Sequence, residues 1–178
     1  MSEQLTSVYL GILLVILVFA AVFVLRQVLK TRRIESELTK LQRKLKDGTA
    51  TAQEYYQLGG LLLDKKLFSQ GIQVLKKAIK AAEKDPEPIA PDNVALVYNA
   101  LGYAYFGQQQ DDLAIRHYKE AIRFNPNYSV AYNNLGNVYE RKKQIPAALD
   151  AYEMALQLDP KSTTAKRRAT SLRKRIAA

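Results

Sequence analysis

The octapeptides YNALGYAY (98–105) and YNNLGNVY (132–139) are two copies of one pattern, YxxLGxxY, placed 34 residues apart. The agreement continues downstream at the same spacing, where small, aromatic and proline residues recur. The recurring pairs are Ala114 and Ala148, Tyr118 and Tyr152, Ala121 and Ala155, and Pro126 and Pro160. Self-similarity at a fixed period of this length indicates a stack of identical supersecondary units.

A weaker third copy of the pattern lies upstream, at 55–62, where it reads YYQLGGLL. Its Leu-Gly pair precedes the next one by 43 residues, so nine residues are inserted between the first two copies. The insertion falls at 83–93, which contains Pro86, Pro88 and Pro91. Three closely spaced prolines cannot continue a helix, so this segment predicts an irregular connection.

The period and the residue types resemble the tetratricopeptide repeat, a pair of antiparallel helices. Gly102 and Ala121 let neighbouring helices approach closely, and the tyrosines fill the space between them. We therefore predict an all-α fold with an N-terminal transmembrane helix, three tetratricopeptide hairpins that form an α-solenoid, and a C-terminal capping helix. The predicted segments are a short tail at 1–7, an anchor at 8–25, a basic amphipathic linker helix at 26–50, three repeats within 51–162 (51–94, 95–128 and 129–162), and the cap at 163–178.

The segment from Val8 to Leu25 is 18 residues long and carries no charge. This length is near the lower limit for a membrane span of about 20 residues. A cleaved signal peptide would need a basic segment before the apolar run, but only Glu3 is charged there, and no small-x-small site follows. We predict a retained single-pass anchor. Basic residues follow it and none precede it, so the positive-inside rule places the C-terminal body in the cytoplasm or its organellar equivalent.

The net charge of +10 is concentrated at the two ends of the chain. Residues 26–46 carry eight basic and two acidic side chains, and residues 161–178 carry seven basic and none acidic. The repeat body is close to neutral, and no basic-aromatic recognition motif is present, so we predict no nucleic-acid binding. The basic C-terminal helix is interpreted as a cap with a solvated outer face. The alternative is a basic patch that contacts an acidic partner or the membrane.

The linker between anchor and repeats carries Ile34, Leu38, Leu41 and Leu45 on one helical stripe. Two heptads are too short for a long coiled coil. The two alternatives are a homodimer through residues 34–45 and packing of the stripe against the first repeat.

The sequence offers no constellation for catalysis, so we predict that the protein is not an enzyme and has no catalytic, cofactor or metal site. It contains no cysteine and a single histidine, His117, which we expect to be exposed. Asp111 and Asp112 stand at the start of a helix, where acidic residues favour the N-terminus.

What remains is a binding surface, because in the tetratricopeptide fold the first helix of each repeat lines a concave groove. The carboxylate-clamp version of that groove needs Lys, Asn and Arg where this chain has Tyr56, Gly60, Val130 and Asn134, so a chaperone tail is not the expected ligand. We predict a groove for an extended or helical peptide, with Asn side chains for its backbone and aromatic anchors. The predicted groove residues are Tyr56, Leu63, Asn99, Tyr103, Phe106, Asn133, Asn137, Glu140 and Arg141.

The whole layout of span, basic linker, three repeats with a proline-rich insertion, and basic tail resembles the cyanobacterial and plastid assembly factors for photosystem I. The resemblance implies a thylakoid membrane protein whose repeats face the cytoplasm or stroma and bind photosystem I subunits or assembly intermediates. Two alternatives have the same architecture: a general bacterial membrane-tethered adaptor for envelope assembly or protein export, and a regulatory subunit that docks an enzyme in trans.

Overall fold

A computed structural model describes residues 2–84 and 89–177, with side chains from Tyr9 onward. The described residues form eight α-helices: α1 (Ser2–Lys46), α2 (Ala52–Asp64), α3 (Phe68–Lys84), α4 (Pro91–Gly107), α5 (Asp111–Phe124), α6 (Ser129–Arg141), α7 (Ile145–Leu158) and α8 (Thr163–Ala177). Pro91 stands in the first turn of α4, where its missing N–H has no intrahelical partner to lose. Pro86 and Pro88 of the predicted insertion lie outside the described residues.

The helices pair as three hairpins, α2 with α3, α4 with α5, and α6 with α7, and α8 packs on the last of them. The predicted all-helical fold with three repeats is therefore confirmed. Helix α2 begins where the first repeat is predicted to begin: Thr51 accepts a hydrogen bond from the backbone N–H of Glu54, whose side chain in turn accepts from the Thr51 N–H.

The glycines of the repeated pattern are required by close helix contacts. A Cβ added at Gly102 would lie 2.6 Å from the ring of Tyr118, and one at Gly136 would lie 2.9 Å from the ring of Tyr152. Both tyrosine side chains are fully buried between the helices of their own repeat. The pattern thus pairs a glycine on the first helix with a buried ring on the second.

Each repeat reverses direction through a short turn that contains one residue with positive φ. These residues are Lys66 (φ 59°), Gln109 (φ 62°) and Lys143 (φ 59°), and they occupy equivalent places in the three turns. None of them is glycine, so each turn holds an ordinary side chain in the left-handed region.

The two ends of the repeat stack are covered by helices of the same chain. At the C-terminal end, Ala165, Ala169 and Leu172 of α8 are buried against α7. This is the capping role that the sequence predicts for this helix.

At the N-terminal end, α1 is one continuous helix of 45 residues, so no break separates the predicted anchor from the predicted linker. Its apolar part, from Tyr9 onward, is exposed and is long and apolar enough to cross a membrane by length and composition. Leu38, Leu41 and Leu45 pack against the first repeat. The three leucines of the stripe are therefore covered within one chain, and the alternative homodimer through residues 34–45 would have to use the same leucines.

Charged pairs fix the direction of α1 relative to α2. Lys44 pairs with Glu54 near one end of the contact, and Lys65 pairs with Glu35 at 3.7 Å near the other. Residues later in α1 thus meet residues earlier in α2, so the two helices run antiparallel.

Candidate peptide-binding groove

The first helices of the three repeats, α2, α4 and α6, lie side by side and contact one another. Positions four residues apart on a helix share a face, so Asn99 and Tyr103 on α4, and Asn133 and Asn137 on α6, form two neighbouring stripes. Across these helices, Asn134 Nδ2 donates a hydrogen bond of 2.9 Å to Asn99 Oδ1. This bond ties the adjacent groove helices of the second and third repeats.

Tyr103 is the most exposed aromatic ring among the described residues of the repeats, with 47% of its surface accessible. Its ring meets the edge of Phe68 at a centroid distance of 6.2 Å, and this contact orients it. Asn137 is exposed, whereas Tyr56, Asn99 and Asn133 are half-buried. These five of the predicted residues lie at or near the accessible surface of the groove helices.

Tyr56 and Tyr128 are partly removed from water at this surface. Burial raises the pKa of Tyr56 above its ordinary value, and burial together with the nearby Tyr56 raises the pKa of Tyr128. Both hydroxyls are protonated at neutral pH, as those of ordinary tyrosines are, and can donate hydrogen bonds. Asn133 Oδ1 is buried and has no hydrogen-bond partner among the described residues.

Leu63 is not on the surface of the groove, contrary to the expectation for its position. Its side chain is 5% exposed and belongs to the core, with Cδ2 only 2.7 Å from where a Cβ on Gly71 would lie. The physical reason is that Gly71 on α3 leaves space between the helices, and Leu63 fills it.

Glu140 is already engaged inside the protein. Tyr152 donates a hydrogen bond of 3.2 Å from its hydroxyl to Glu140 Oε2, and Arg168 Nη1 donates one of 3.3 Å to Oε1. Glu140 therefore joins the third repeat to the capping helix.

Arg141 is likewise engaged, in a contact between the second and third repeats. Its guanidinium pairs with Asp111 and lies 3.5 Å from the centroid of the Phe106 ring, while Nη2 donates to the Phe106 carbonyl at 3.1 Å. Arg141 thus covers one side of Phe106, so both predicted residues are part of the inter-repeat packing. The sequence contains a pattern that matches this contact between repeats. Two acidic residues, Asp111 and Asp112, precede two basic residues, Arg141 and Lys142, by 30 positions.

Two features of this surface are not among the predicted groove residues. Val130, at the start of α6, is 48% exposed and adds an apolar contact. A cavity of about 300 Å³ also opens between the first two repeats and shares Tyr56 with the groove. It is lined by Thr51, Ala52, Gln53, Tyr56, Ala78, Ile79, Ala82, Ile89, Ala90, Asn93, Val94 and Val97.

The chemistry of this surface is that of recognition. It offers exposed rings, small apolar side chains and amide groups, which suit side chains and backbone of a peptide. Over residues 9–84 and 89–177, no three of the histidine, aspartate and glutamate side chains come together as metal ligands.

Tetratricopeptide repeat profiles match this chain at residues 52–85, 102–143 and 129–162. Over 128 residues it is 33% identical to the ycf37 protein of Guillardia theta, covering 72% of this chain and 70% of that protein. It is 35% identical over 120 residues to the chloroplastic tetratricopeptide repeat domain-containing protein PYG7 of Arabidopsis thaliana, covering 67% of this chain and 38% of that protein. The crystal structure of MamA has a similar fold, with a TM-score of 0.71, 23% sequence identity, and coverage of 83% of this chain and 81% of that one.

Proposed function

The chain belongs to the family of tetratricopeptide repeat proteins that includes ycf37 and PYG7, and on that premise we propose that it is a membrane-anchored scaffold for protein assembly. The repeat fold is typical of modules that bind proteins without catalysis. The observation that carries the proposal is Tyr103, a ring left half-exposed on the face that the groove helices share. Tyrosine is one of the residue types that most often dominate the binding energy of a protein interface.

The groove would hold a peptide through two kinds of contact. Tyr56, Tyr103 and Val130 supply apolar area, and the exposed amide of Asn137 can donate to and accept from a peptide backbone. The amides of Asn99 and Asn133 are half-buried on the same helices.

The exposed apolar part of α1 would anchor this groove in a membrane. Confinement to a membrane surface raises the effective concentration of the groove near membrane-bound clients. The basic residues that follow the span favour a cytoplasmic or stromal location for the repeats. Removal of the span should therefore leave the repeats folded and abolish assembly, and full assembly by the soluble fragment would contradict the role of the anchor.

For the client we propose photosystem I subunits or assembly intermediates at the thylakoid membrane. Support comes from the chloroplastic relative and from the layout of the chain, which resembles the photosystem I assembly factors. The alternative is a general bacterial membrane-tethered adaptor that serves envelope assembly or protein export.

The test is affinity capture of the full-length protein from detergent-solubilised native membranes, followed by mass spectrometry. Three forms are compared: the natural chain, Tyr103→Ala, and Leu113→Ala as a matched control. Leu113 is 37% exposed but lies on α5, a second helix of its repeat. Enrichment of photosystem I subunits that is lost with Tyr103→Ala and kept with Leu113→Ala would support groove and client together.

The other outcomes separate the two parts of the proposal. Enrichment of envelope or export components would keep the groove and replace the client. An identical set of proteins from all three forms would contradict the groove.

A further inference from the structure

The direction of α1 determines which edge of the repeat stack faces the membrane in a chain that is anchored as proposed above. Because α1 and α2 run antiparallel, the end of α2 points back toward the apolar segment. Each later helix reverses direction in its hairpin, so the turns within the three repeats share one edge. The end of α8 lies on this edge too, because α8 reverses the direction of α7.

We propose that this edge binds the anionic surface of the membrane in which the protein is anchored. We call it the basic edge, and it consists of residues 64–67, 107–112, 141–144 and 173–177. It carries eight basic and three acidic side chains. The described part of the opposite edge, residues 83–84, 89–92, 124–129 and 158–163, carries two basic and three acidic side chains.

The height of the basic edge above the membrane suits such a contact. Lys65, in the first turn of the edge, pairs with Glu35, which lies ten residues after Leu25 at the end of the apolar run. Ten helical residues span about 15 Å. The headgroup layer occupies about 5–7 Å of this height. The remaining gap is close to the Debye length of about 8 Å at physiological salt, so lysine side chains at this level are attracted to anionic headgroups.

The part of α1 between the membrane and the repeats can keep the basic edge at this distance from the membrane. Residues 12–46 contain neither proline nor glycine, and they form one uninterrupted helix. The exposed cations on the edge include Lys66, Lys143, Lys174 and Arg175. A consequence is that the groove, which crosses α2, α4 and α6, runs along the membrane, so that a bound peptide lies parallel to the surface.

The experiment measures the height of each edge above the bilayer. The chain contains no cysteine, so Gln109→Cys and Asn127→Cys each create one labelling site, at opposite ends of α5. Full-length protein with a donor dye at either site is reconstituted into phosphatidylcholine vesicles with or without phosphatidylglycerol, each containing acceptor-labelled lipid. We expect the dye at residue 109 to lie closer to the bilayer by about 20 Å, the length of the 14 residues of α5. Equal distances, or a shorter distance at residue 127, would overturn the proposal.

A charge test separates binding from simple proximity. Lys66→Gln combined with Lys143→Gln should lower energy transfer at residue 109 in the phosphatidylglycerol vesicles and leave it unchanged in phosphatidylcholine alone. Gln109 has the same positive φ in the middle turn, so glutamine fits these positions. The matched control is Lys84→Gln with Lys161→Gln on the opposite edge, and an equal effect of the two pairs would contradict a specific edge.

The anchor is tested in the same vesicles. Release of the protein by alkaline carbonate would overturn the anchor and this inference together. Retention of the protein with no difference between residues 109 and 127 would overturn this inference and leave the anchor intact. Neither result depends on a client in the groove.

Discussion

Arg141 and Asp111 join the third repeat to the second through a two-atom contact. Nε of Arg141 donates a hydrogen bond of 3.1 Å to Asp111 Oδ2, and Nη2 pairs with the other carboxylate oxygen. The guanidinium also lies on the ring of Phe106. Because the planar guanidinium matches the carboxylate in both atoms, this contact fixes the angle between repeats more strongly than a single charge pair.

Asp111→Asn should therefore destabilise the protein, whereas Asp112→Asn should change little. We expect a loss of about 1–2 kcal/mol for the Asp111 change, since it leaves a partly buried guanidinium without its charged partner. Asp112 is 86% exposed in its pair with Lys142, so its loss should cost less than about 0.5 kcal/mol. Urea unfolding in detergent measures the free energy of unfolding of both variants. Equal losses in the two variants would contradict the larger contribution expected of the pair between Arg141 and Asp111.

Gly59 and Gly60 provide a second matched pair, on adjacent positions of α2. A Cβ at Gly59 would lie 2.5 Å from Leu75, which is fully buried, whereas one at Gly60 would meet nothing within 4 Å. Gly60→Ala should stabilise the protein by about 0.5–1 kcal/mol, the helix preference of alanine over glycine. Gly59→Ala should destabilise it by about 1–3 kcal/mol through overpacking. Denaturant midpoints measure the two shifts, and shifts of the same sign would contradict the packing described for the repeats.

His117 is half-buried, which differs from the exposed position that the sequence predicts. Its ring stacks on Tyr105 at 5.0 Å and on Tyr98 at 5.9 Å, and its Nδ1 is buried without a partner among the described residues. Burial, reinforced by the positive charges of Arg116 and Lys76, lowers the pKa of His117 to about 4.

A pH dependence follows from this lowered pKa. Well above pH 6.5, the ordinary pKa of histidine, the ring is neutral in both the folded and unfolded states. Its protonation then does not change the free energy of unfolding. Between pH 6.5 and 4 the unfolded chain binds the proton more readily, so stability falls as the pH falls. We expect a loss of about 1 kcal/mol from pH 7 to pH 5, after allowance for the exposed part of the ring.

The measurement is urea unfolding of the natural protein and of His117→Phe at several pH values. Phenylalanine keeps a flat ring between the two tyrosines and cannot take up a proton. The difference in stability between the two proteins should grow as the pH falls below 6.5. A constant difference would show that the histidine does not titrate in the expected range.

Leu41 tests the attachment of α1 to the first repeat. Its side chain packs against the cluster of Leu58, Leu62 and Val74. Leu41→Asp places a charge in this contact and should weaken it by about 2 kcal/mol. Hydrogen exchange of the backbone amides at 38–46 should then become faster, with little change in α4 to α7.

Gln42→Asp is the control for this change, because Gln42 is the exposed neighbour of Leu41 on the same helix. It introduces the same charge without entering the contact. Equal acceleration in both variants would indicate that α1 is held by something other than the leucine stripe.

The sequence predicted those parts of the molecule that depend on short-range packing. The pairing of glycine with a ring at Gly102 and Tyr118 follows from the repeat period, because both residues belong to one hairpin. The family resemblance, drawn from the layout of the chain, is confirmed by the relatives ycf37 and PYG7. The predicted start of the first repeat at residue 51 agrees with the structure, where the reciprocal hydrogen bonds of Thr51 and Glu54 involve only four consecutive residues.

The accessible part of the groove could not be predicted in the same way. The position of a residue on a helix indicates the face to which its side chain belongs. The exposure of that side chain also depends on which residues of a neighbouring helix pack against it. Leu63 entered the core because Gly71 leaves space for it, and Arg141 covers Phe106 because Asp111 lies within its reach. Both outcomes depend on partners in another helix, which a single helical pattern does not contain.

The covered ends of the repeat stack limit how copies of this protein can assemble. Repeat arrays with apolar ends can grow when the last unit of one molecule stacks on the first unit of another, which leads to filaments. Here Leu41 of α1 and Leu172 of α8 occupy those two ends. We therefore expect no end-to-end growth, and occupancy of the proposed groove on one polypeptide should be independent of its neighbours. A binding curve with a stoichiometry of one and a Hill coefficient of about one is the expected result.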